Sequence, residues 1–207
     1  AICYQVETNA GRAYQYRTSF PLMITDWRNQ WKQGDFPFYF VQLTSYDPTR
    51  GKGEGNSNNG SNWAELREAQ AMTLSLPNTG MAVITDIGEK TDIHPKNKQD
   101  VGKRLAVNAL KNVYGKPVVP GGPVFQSVNI NGNKALVSFT DPGGGIVAKD
   151  RYGYVRGFEI AGEDQHFYYA KAVLVNGKVE VYSEKVDKPV AVRYNWADVV
   201  DGNLFNT

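Results

Sequence analysis

The chain has 207 residues, an apolar content of 41% and a formal net charge of +2. This length suits one large domain or two small ones, and the near-balanced charge, without a long lysine and arginine cluster, argues against a nucleic-acid-binding surface. No apolar run approaches the ~20 residues of a membrane span, and a single cysteine excludes an internal disulfide.

The first part of the chain begins with a strand pattern and a helix pattern. Residues 1–5 read as a strand already under way, and we therefore expect further sequence upstream of them. Residues 37–43 are apolar and aromatic and predict a second strand. Between the two, apolar residues at steps of three and four predict an amphipathic helix, which Pro21 either kinks or begins. These residues are Tyr16, Phe20, Met23, Trp27 and Trp31.

A loop, a helix and a strand are predicted next. Residues 50–61 are rich in glycine and asparagine, which favours an exposed loop. Asn62 is placed to cap a helix that begins at Trp63, and Glu65 is placed to complete a capping box. The apolar run 81–87 then predicts a buried strand.

The last helix of this part is predicted by apolar residues that repeat every four positions, with Gly115 as a suitable helix stop. The repeating residues are Val101, Leu105, Ala109 and Val113. Strands that alternate with helices imply a parallel sheet with right-handed crossovers. We therefore predict an α/β domain over residues 1–116.

After Pro117 the sequence changes to short β-strand patterns. Two Asn-Gly pairs, Asn131-Gly132 and Asn176-Gly177, are each flanked by apolar strand-like runs. An Asn-Gly pair in this setting is a strong hairpin signal. The pattern predicts a small antiparallel β-sandwich over residues 117–207.

The run 91–98 follows the predicted strand 81–87 and contains one of only two histidines. Asp92 precedes His94 by two residues, and Pro95 could open a helix. A histidine held near a carboxylate beyond a strand end has what a general base needs. Asp92 could instead cap the helix that opens at Pro95.

Polar residues also follow the opening strand. In an open parallel sheet, functional residues gather at the carboxyl ends of the strands. We therefore expect Gln5, Glu7 and Asn9 to lie near Asp92 and His94. An amide donor, a carboxylate and a His–Asp pair are parts of an acyl-transfer site, as oxyanion donor, orienting group and base.

No nucleophile for such a site is evident. Thr8 and Cys3 carry the only hydroxyl and thiol nearby, neither has a partner evident from the sequence, and we expect Cys3 to point into the core. Glu7 could also serve a different purpose, as the ion-pair partner of Arg12 or Arg17.

The second histidine, His166, lies near Glu163 and Asp164 but without further histidine or cysteine at metal-ligand spacing. We expect it to be a surface residue, and we expect neither a metal nor a cofactor.

Nine segments, in order along nearly the whole chain, resemble one known family. They are residues 4–13 (Tyr-Gln-Val-Glu-Thr-Asn-Ala-Gly-Arg-Ala), 16–17, 26–28, 36–39, 42–43, 63–70, 92–98 (Asp-Ile-His-Pro-Lys-Asn-Lys), 157–162 and 190–194. They resemble the sialate O-acetylesterases, which are carbohydrate esterases of the SGNH-hydrolase superfamily.

The resemblance implies a fold, a substrate and a location. The fold would be an incomplete, flavodoxin-like SGNH hydrolase core, of which residues 1–116 form the C-terminal part, followed by a jelly-roll-like β-sandwich over residues 117–207. The substrate would be an O-acetylated carbohydrate, either sialic acid or a plant polysaccharide. A periplasmic or secreted protein is suspected on the same ground.

The resemblance also implies roles for four residues: His94 as general base, Asp92 as its orienting partner, Gln5 as oxyanion donor and Glu7 as support for that loop. The nucleophilic serine of the family lies in a Gly-Gln-Ser-Asn segment upstream of the part that matches Ala1, and this chain has no such segment. We therefore expect a fragment without the nucleophilic serine, which associates with a copy of itself or with the upstream part of the same gene product.

Three features depart from the family, and two other functions stay open. Val6 replaces a glycine, Cys3 replaces the usual tryptophan, and Asp92 lies two residues before His94, where many SGNH enzymes place the carboxylate three before. The chain could be a glycoside hydrolase with a carboxylate pair such as Glu7 and Asp92, which would then lie ~5 Å or ~6.5–9.5 Å apart. It could also be a non-catalytic carbohydrate-binding module.

Overall fold

The computed structural model describes residues 1–47, 58, 60–140 and 143–207. The chain divides into two compact units, the first comprising Ala1–Gly53 with Ser61–Gly121 and the second Glu54–Gly60 with Gly122–Thr207. The domain boundary expected after residue 116 stays a prediction. Within the described part of the chain, no helix has the length and apolar character that a membrane crossing requires.

The first unit contains a three-stranded parallel sheet. Strand β1 (Ile2–Cys3) pairs with β2 (Phe38–Val41), and β2 pairs with β3 (Thr79–Ala82), so β2 is the middle strand. Helix α1 (Ala13–Trp31) connects the first two strands, and α2 (Asn62–Met72) lies between the second and the third. Parallel neighbours need such long crossovers. The predicted α/β arrangement with a parallel sheet is confirmed.

All four residues of β2 are buried, because the two faces of the strand pack into different clusters of the core. Phe38 and Phe40 belong to the cluster that includes α1 and α2, and Tyr39 and Val41 belong to the cluster that includes Leu105. Successive side chains of a strand point to opposite faces. The continuous apolar run that predicted this strand is therefore that of a strand covered on both sides.

The predicted amphipathic helix is confirmed as α1, but Pro21 does not begin it. The helix runs from Ala13 without interruption past Pro21. Trp27 and Trp31 are partly exposed and stack on each other with ring centroids 5.9 Å apart. The buried face consists of Ala13, Tyr16, Phe20, Ile24 and Arg28. A proline removes one main-chain donor from the helix, and the aromatic packing along this face offsets that loss.

Helix α2 is capped one residue earlier than predicted. The side-chain oxygen of Ser61 accepts a hydrogen bond from the main-chain N–H of Ala64 at 3.0 Å. Asn62 is therefore the first residue of the helix, and its prediction as the cap is wrong. The loop predicted over residues 50–61 falls largely outside the described residues.

The strand predicted over residues 81–87 is only partly correct. Strand β3 ends at Ala82, and residues 83–87 leave the sheet. Helix α3 (Lys98–Asn112) confirms the four-residue repeat, and Gly115 follows its end with a φ of 61°. The helix does not open at Pro95, because its cap is Asn97, whose side-chain oxygen accepts from the N–H of Asp100 at 3.2 Å.

In the second unit, the strands that the structure describes pair in antiparallel fashion and form three sheets. The largest sheet consists of β4 (Val124–Asn131), β5 (Lys134–Thr140), β9 (Lys171–Val175) and β10 (Lys178–Tyr182). Its strand order is β4-β5-β10-β9, and it contains both predicted hairpins. Asn176 and Gly177 have φ values of 49° and 74°, the left-handed values that a tight hairpin turn needs.

The described part of the second unit also contains two smaller sheets. Their strands are β6 (Ile146–Ala148), β7 (Phe158–Ala161), β8 (Phe167–Tyr169), β11 (Ala191–Tyr194) and β12 (Leu204–Asn206). In one sheet β7 lies between β11 and β8, and in the other β12 pairs with β6. Ile160, Val179 and Val181 form part of one core cluster of this unit. The predicted antiparallel character is confirmed, and the jelly-roll assignment stays a prediction.

Candidate active site

Asp92 and His94 lie on the loop that connects β3 to α3. The Oδ1 atom of Asp92 accepts a hydrogen bond from the main-chain N–H of His94 at 2.9 Å, and it lies 3.7 Å from the ring Nδ1 atom. The His94 side chain is 86% exposed. With Nδ1 beside the carboxylate, Nε2 is the nitrogen that can exchange a proton with a reacting group.

The alternative in which Asp92 caps a helix is wrong. Asn97 caps α3, and the carboxylate of Asp92 instead binds the main chain of His94. A carboxylate at this position can stabilise the positive charge that a histidine acquires when it takes up a proton.

The second histidine shows that this local turn is not diagnostic of a catalytic site. The Oδ1 atom of Asp164 accepts from the main-chain N–H of His166 at 3.1 Å, in the same two-residue spacing. His166 is exposed, as predicted, and lies with its ring centroid 4.6 Å from that of Tyr168. The two Asp-x-His turns therefore share their main-chain hydrogen bond, but of the two histidines only His94 brings its ring within ion-pair distance of its aspartate.

Glu89 closes the loop around His94. Its Oε1 atom accepts from the main-chain N–H of Lys96 at 3.0 Å, and its Oε2 atom lies 3.4 Å from the Lys96 Nζ atom. The main-chain carbonyl of Glu89 accepts from the N–H of Asp92 at 3.3 Å. Pro95, the residue after the exposed histidine, is buried. These contacts fix the main chain on both sides of His94.

The segment that leads from β3 to this loop is also bound to the segment that follows β2. Three hydrogen bonds join them: Thr44 Oγ1 to the Ile84 carbonyl at 3.1 Å, Ser45 Oγ to the Thr85 carbonyl at 2.9 Å, and the Asp47 N–H to the Lys90 carbonyl at 2.9 Å. The Thr44 and Ser45 hydroxyls donate to the main-chain carbonyls of Ile84 and Thr85, which in a longer strand would accept hydrogen bonds from a neighbouring strand. This is the physical reason that β3 ends at Ala82.

Gly88 lies where these two segments come closest. A Cβ atom at this position would overlap the Thr44 side chain and would lie 2.8 Å from the main-chain oxygen of Ser45. Only glycine allows so close an approach without a shift of the main chain. No sequence motif marks Gly88 or Glu89, and the contacts that constrain Gly88 involve Thr44 and Ser45, which lie far from it in the chain.

Gln5 and Glu7 lie on the segment that leaves β1. Gln5 is exposed. The Oε2 atom of Glu7 accepts from the main-chain N–H of Val6 at 2.9 Å, and Glu7 begins a 3₁₀ helix (Glu7–Arg12). Val6 is buried in the core with a φ of 179°, so this position does not have the positive φ that would favour glycine.

The alternative ion pairs of Glu7 are wrong. Arg17 pairs with Glu68, with Nη2 and Oε2 2.6 Å apart. Within the described residues, no ion pair joins Glu7 to Arg17 or to Arg12.

One contact links the two segments that carry the candidate residues. The Lys98 Nζ atom lies 3.4 Å from the Tyr4 hydroxyl and 4.5 Å from the centre of its ring. Ile93 packs against the core cluster that also contains Val6. Sequence reasoning missed this tyrosine–lysine contact, because its members are 94 residues apart.

Among the described residues, the candidate residues of the two segments make no direct polar contact with each other. Over the described parts of the chain, no hydrogen bond or ion pair connects Gln5 or Glu7 with Asp92 or His94. Both segments follow outer strands of one parallel sheet, at its carboxyl end. A shared site for the four residues, with Asn9, stays a prediction, as does the carboxylate pair of a glycoside hydrolase.

Neither nearby nucleophile is activated by its surroundings. Cys3 packs against the core, as expected, and burial raises the pKa of its thiol, with the negative charge of Glu7 raising it further. A thiol with a raised pKa is a weak nucleophile at neutral pH. Thr8 is exposed. In the described residues, no group of three or more histidine, cysteine, aspartate or glutamate side chains could hold a metal ion.

Comparisons with known proteins give one consistent result, although no family model matches the chain. It is 31% identical over 158 residues to the sialate O-acetylesterase of Mus musculus, and 29% identical over 158 residues to that of Homo sapiens. Each match covers 67% of this chain. The chain spans less than a third of the length of these relatives, 28% and 29% respectively.

A solved structure is similar over almost the whole chain. A carbohydrate acetylesterase from Xanthomonas citri superimposes with a TM-score of 0.90 at 45% sequence identity. The match covers 99% of this chain and 46% of that one. At this identity the likeness extends to sequence as well as to fold.

Proposed function

Because this chain belongs to the sialate O-acetylesterase family of carbohydrate esterases, we propose that it is part of an enzyme that removes acetyl groups from O-acetylated carbohydrates. The substrate is sialic acid or a plant polysaccharide. The observation that carries the proposal is the position of His94, whose exposed ring lies beside the Asp92 carboxylate on a fixed loop.

The finer fold assignment is part of the same proposal. Residues 1–116 are the C-terminal part of a flavodoxin-like SGNH hydrolase core, and residues 117–207 are a jelly-roll-like sandwich. Three parallel strands with connecting helices support the first assignment, and the antiparallel sheets support the second.

The proposed reaction is acyl transfer through a serine nucleophile supplied from outside this chain. His94 takes the proton of the serine hydroxyl through Nε2 while the serine oxygen bonds to the acetyl carbon. Asp92 stabilises the protonated ring. The same proton then passes to the sugar oxygen as its bond to the acetyl carbon breaks, and water releases acetate from the enzyme by the same steps.

Two further residues complete the proposed site. The exposed side-chain amide of Gln5 donates a hydrogen bond to the oxyanion that forms on the acetyl group. Glu7 supports the segment by accepting the N–H of Val6.

The first test is acetate release by the 207-residue chain alone, with p-nitrophenyl acetate and acetylated xylan as substrates. We expect slow release, because positioning and oxyanion donors alone retain only ~10³–10⁴-fold acceleration over water in serine hydrolases. Ordinary esterase turnover that disappears in Thr8→Ala or Cys3→Ala would reveal a different nucleophile and contradict the proposal.

The second test uses the product of the natural gene, with two matched variants. His94→Ala is expected to lower kcat by about 10³-fold or more. His166→Ala is the control, because His166 is also exposed and follows an aspartate in the same turn. Equal activity of the two variants would exclude His94 as the base.

Association with a copy of this chain, or with another part of the same gene product, is also proposed. The supporting observation is β4, in which all eight residues are exposed, among them Phe125 and Ile130. Light scattering at increasing protein concentration tests self-association. A monomer at every concentration would contradict association of the chain with a copy of itself.

A further inference from the structure

The second unit contains an open pocket that the proposed ester chemistry does not use. Its volume is 390 Å³, and we call it the tyrosine pocket. It is lined by residues 154–158, residues 169–172 and Asp201. Small-molecule sites in proteins have volumes of roughly 300–1,000 Å³. The size therefore suits a ligand of one or two sugar rings.

Two aromatic side chains of the tyrosine pocket are exposed. Tyr154 is 53% exposed and Tyr169 is 73% exposed. The other apolar lining residues, Val155, Phe158 and Ala172, are buried in the core of the unit. A tyrosine ring has an apolar body, a negative face and a polar tip. Two such rings at a concave surface can contact the C–H face of a sugar ring while their hydroxyls stay in water.

The main chain under this surface is fixed by one buried side chain. The Asn203 Oδ1 atom accepts from the main-chain N–H of Arg156 at 2.9 Å, and its Nδ2 atom donates to the carbonyl of Tyr154 at 2.9 Å. Asn203 is buried. The buried Asn203 side chain therefore holds the main chain of Tyr154 and Arg156 in place without a bound ligand.

The charges of the pocket favour a neutral ligand. The Arg156 guanidinium lies 3.2 Å from Asp150 and 3.1 Å from Asp201, and Lys171 lies 2.8 Å from Glu184. Both cations already have anionic partners, and three carboxylates surround two positive charges. An anionic ligand would have to compete with these pairs. A sugar hydroxyl group can instead form hydrogen bonds with the ion-paired side chains, since Asp201 accepts hydrogen bonds and Lys171 donates them.

From these observations we propose that the tyrosine pocket binds neutral sugar units of a polysaccharide. The rings of Tyr154 and Tyr169 contact the apolar sugar faces, and Asp201 and Lys171 bind hydroxyl groups. The choice of a polysaccharide rests on the proposed function, whereas the preference for a neutral sugar rests on the pocket alone. A stable protein partner would bury a total of about 1,200 Å² or more, far beyond two tyrosine rings.

The test is affinity electrophoresis of the 207-residue chain through native gels that contain xylan, glucomannan or polygalacturonate. We expect at least one neutral polysaccharide to retard the chain. Tyr154→Ala and Tyr169→Ala should each raise the apparent Kd about tenfold, since an aromatic contact and its buried area contribute about 1.4 kcal/mol or more. Tyr152→Ala is the matched control, because Tyr152 is similarly exposed and does not line the pocket.

Circular dichroism of each variant checks that it is folded, and Tyr154→Phe and Tyr169→Phe, which keep the ring, should restore binding. Retardation that is undiminished in both alanine variants would overturn the proposal, as would retardation by polygalacturonate alone or by no polysaccharide. Binding and acetate release are separate measurements, so a natural gene product that binds xylan but releases no acetate from acetylated xylan would overturn only the proposed function.

Discussion

Arg104 of α3 binds both carboxylate oxygens of Asp86, with distances of 2.5 Å from Nη1 and 2.7 Å from Nη2. The same Nη1 atom donates to the carbonyl of Val83 at 2.6 Å. This ion pair raises the pKa of Arg104, chiefly through the hydrogen bond to Asp86. The helix that follows His94 is therefore joined to the segment that precedes it.

Arg104→Lys should loosen this junction. A lysine ammonium cannot reproduce the two-point contact with a carboxylate. Because both side chains are partly exposed, we expect a loss of about 1 kcal/mol in the free energy of unfolding, together with faster hydrogen exchange of residues 83–87. Lys103→Arg on the same helix is the control. Unchanged exchange in Arg104→Lys would show that the pair does not hold the segment.

Gly88→Ala should be strongly destabilising, because the new methyl group meets the main chain of Ser45. We expect a loss of at least about 2 kcal/mol. Gly102→Ala is a matched control with the opposite sign. Gly102 lies in α3 with open space around it, and alanine there should add about 0.5–1 kcal/mol. Chemical denaturation measures both, and equal effects would contradict the close approach at Gly88.

Arg28→Ala tests a buried guanidinium in α1. The Nη2 atom of Arg28 donates to the carbonyls of Phe36 and Pro77, each at 2.8 Å. Truncation leaves both acceptors without their donor, and we expect a loss of about 2–3 kcal/mol. The half-exposed Arg17, whose ion pair is with Glu68, should cost less than about 1 kcal/mol when changed to alanine. Thermal unfolding that ranks the two variants in the reverse order would refute this assignment.

The Cys3 thiol should react slowly with a disulfide reagent at pH 8. Burial and then Glu7 raise its pKa above the ordinary 9.0, so the thiolate is scarce. Glu7→Gln should speed the reaction, whereas Glu65→Gln, at an exposed position of α2, should not. Equal rates in both variants would show that Glu7 does not act on Cys3.

The raised pKa of the Cys3 thiol also makes the free energy of unfolding depend on pH. The folded chain holds the thiol proton more tightly than the unfolded chain. The resulting stabilisation is fully present below pH 9 and is lost as the pH rises through the folded pKa of Cys3. Denaturation of Cys3→Ser should lack this alkaline component.

Patterns that depend on near neighbours were predicted well. The alternation of strands and helices gave the parallel sheet, and the two Asn-Gly pairs gave the hairpins of β4-β5 and β9-β10. The end of β3 was not predictable, because Ile84 is as buried as a strand residue and its carbonyl is taken by Thr44, 40 positions earlier. Local periodicity carries no signal for such a contact.

The candidate site likewise combines features that the local sequence predicts with features that depend on distant residues. The sequence identifies Asp92 and His94 as candidates, but Asp164 and His166 form the same main-chain turn, so spacing alone does not identify a catalytic histidine. The first pair is distinguished by the approach of the His94 ring to the Asp92 carboxylate and by a set of contacts with distant residues. The nearest sequence signal would have been Gly88, whose lack of a side chain marks a close approach of two segments.

The loop around His94 combines an exposed side chain with a main chain that is held at both ends. Freezing the main chain of a flexible residue costs about 1–2 kcal/mol in conformational entropy. Here the main chain is already ordered in the folded protein. A group that binds to the His94 ring therefore has to order only the two side-chain torsions of the histidine. The site is thus preorganised in its backbone and adaptable only in its ring.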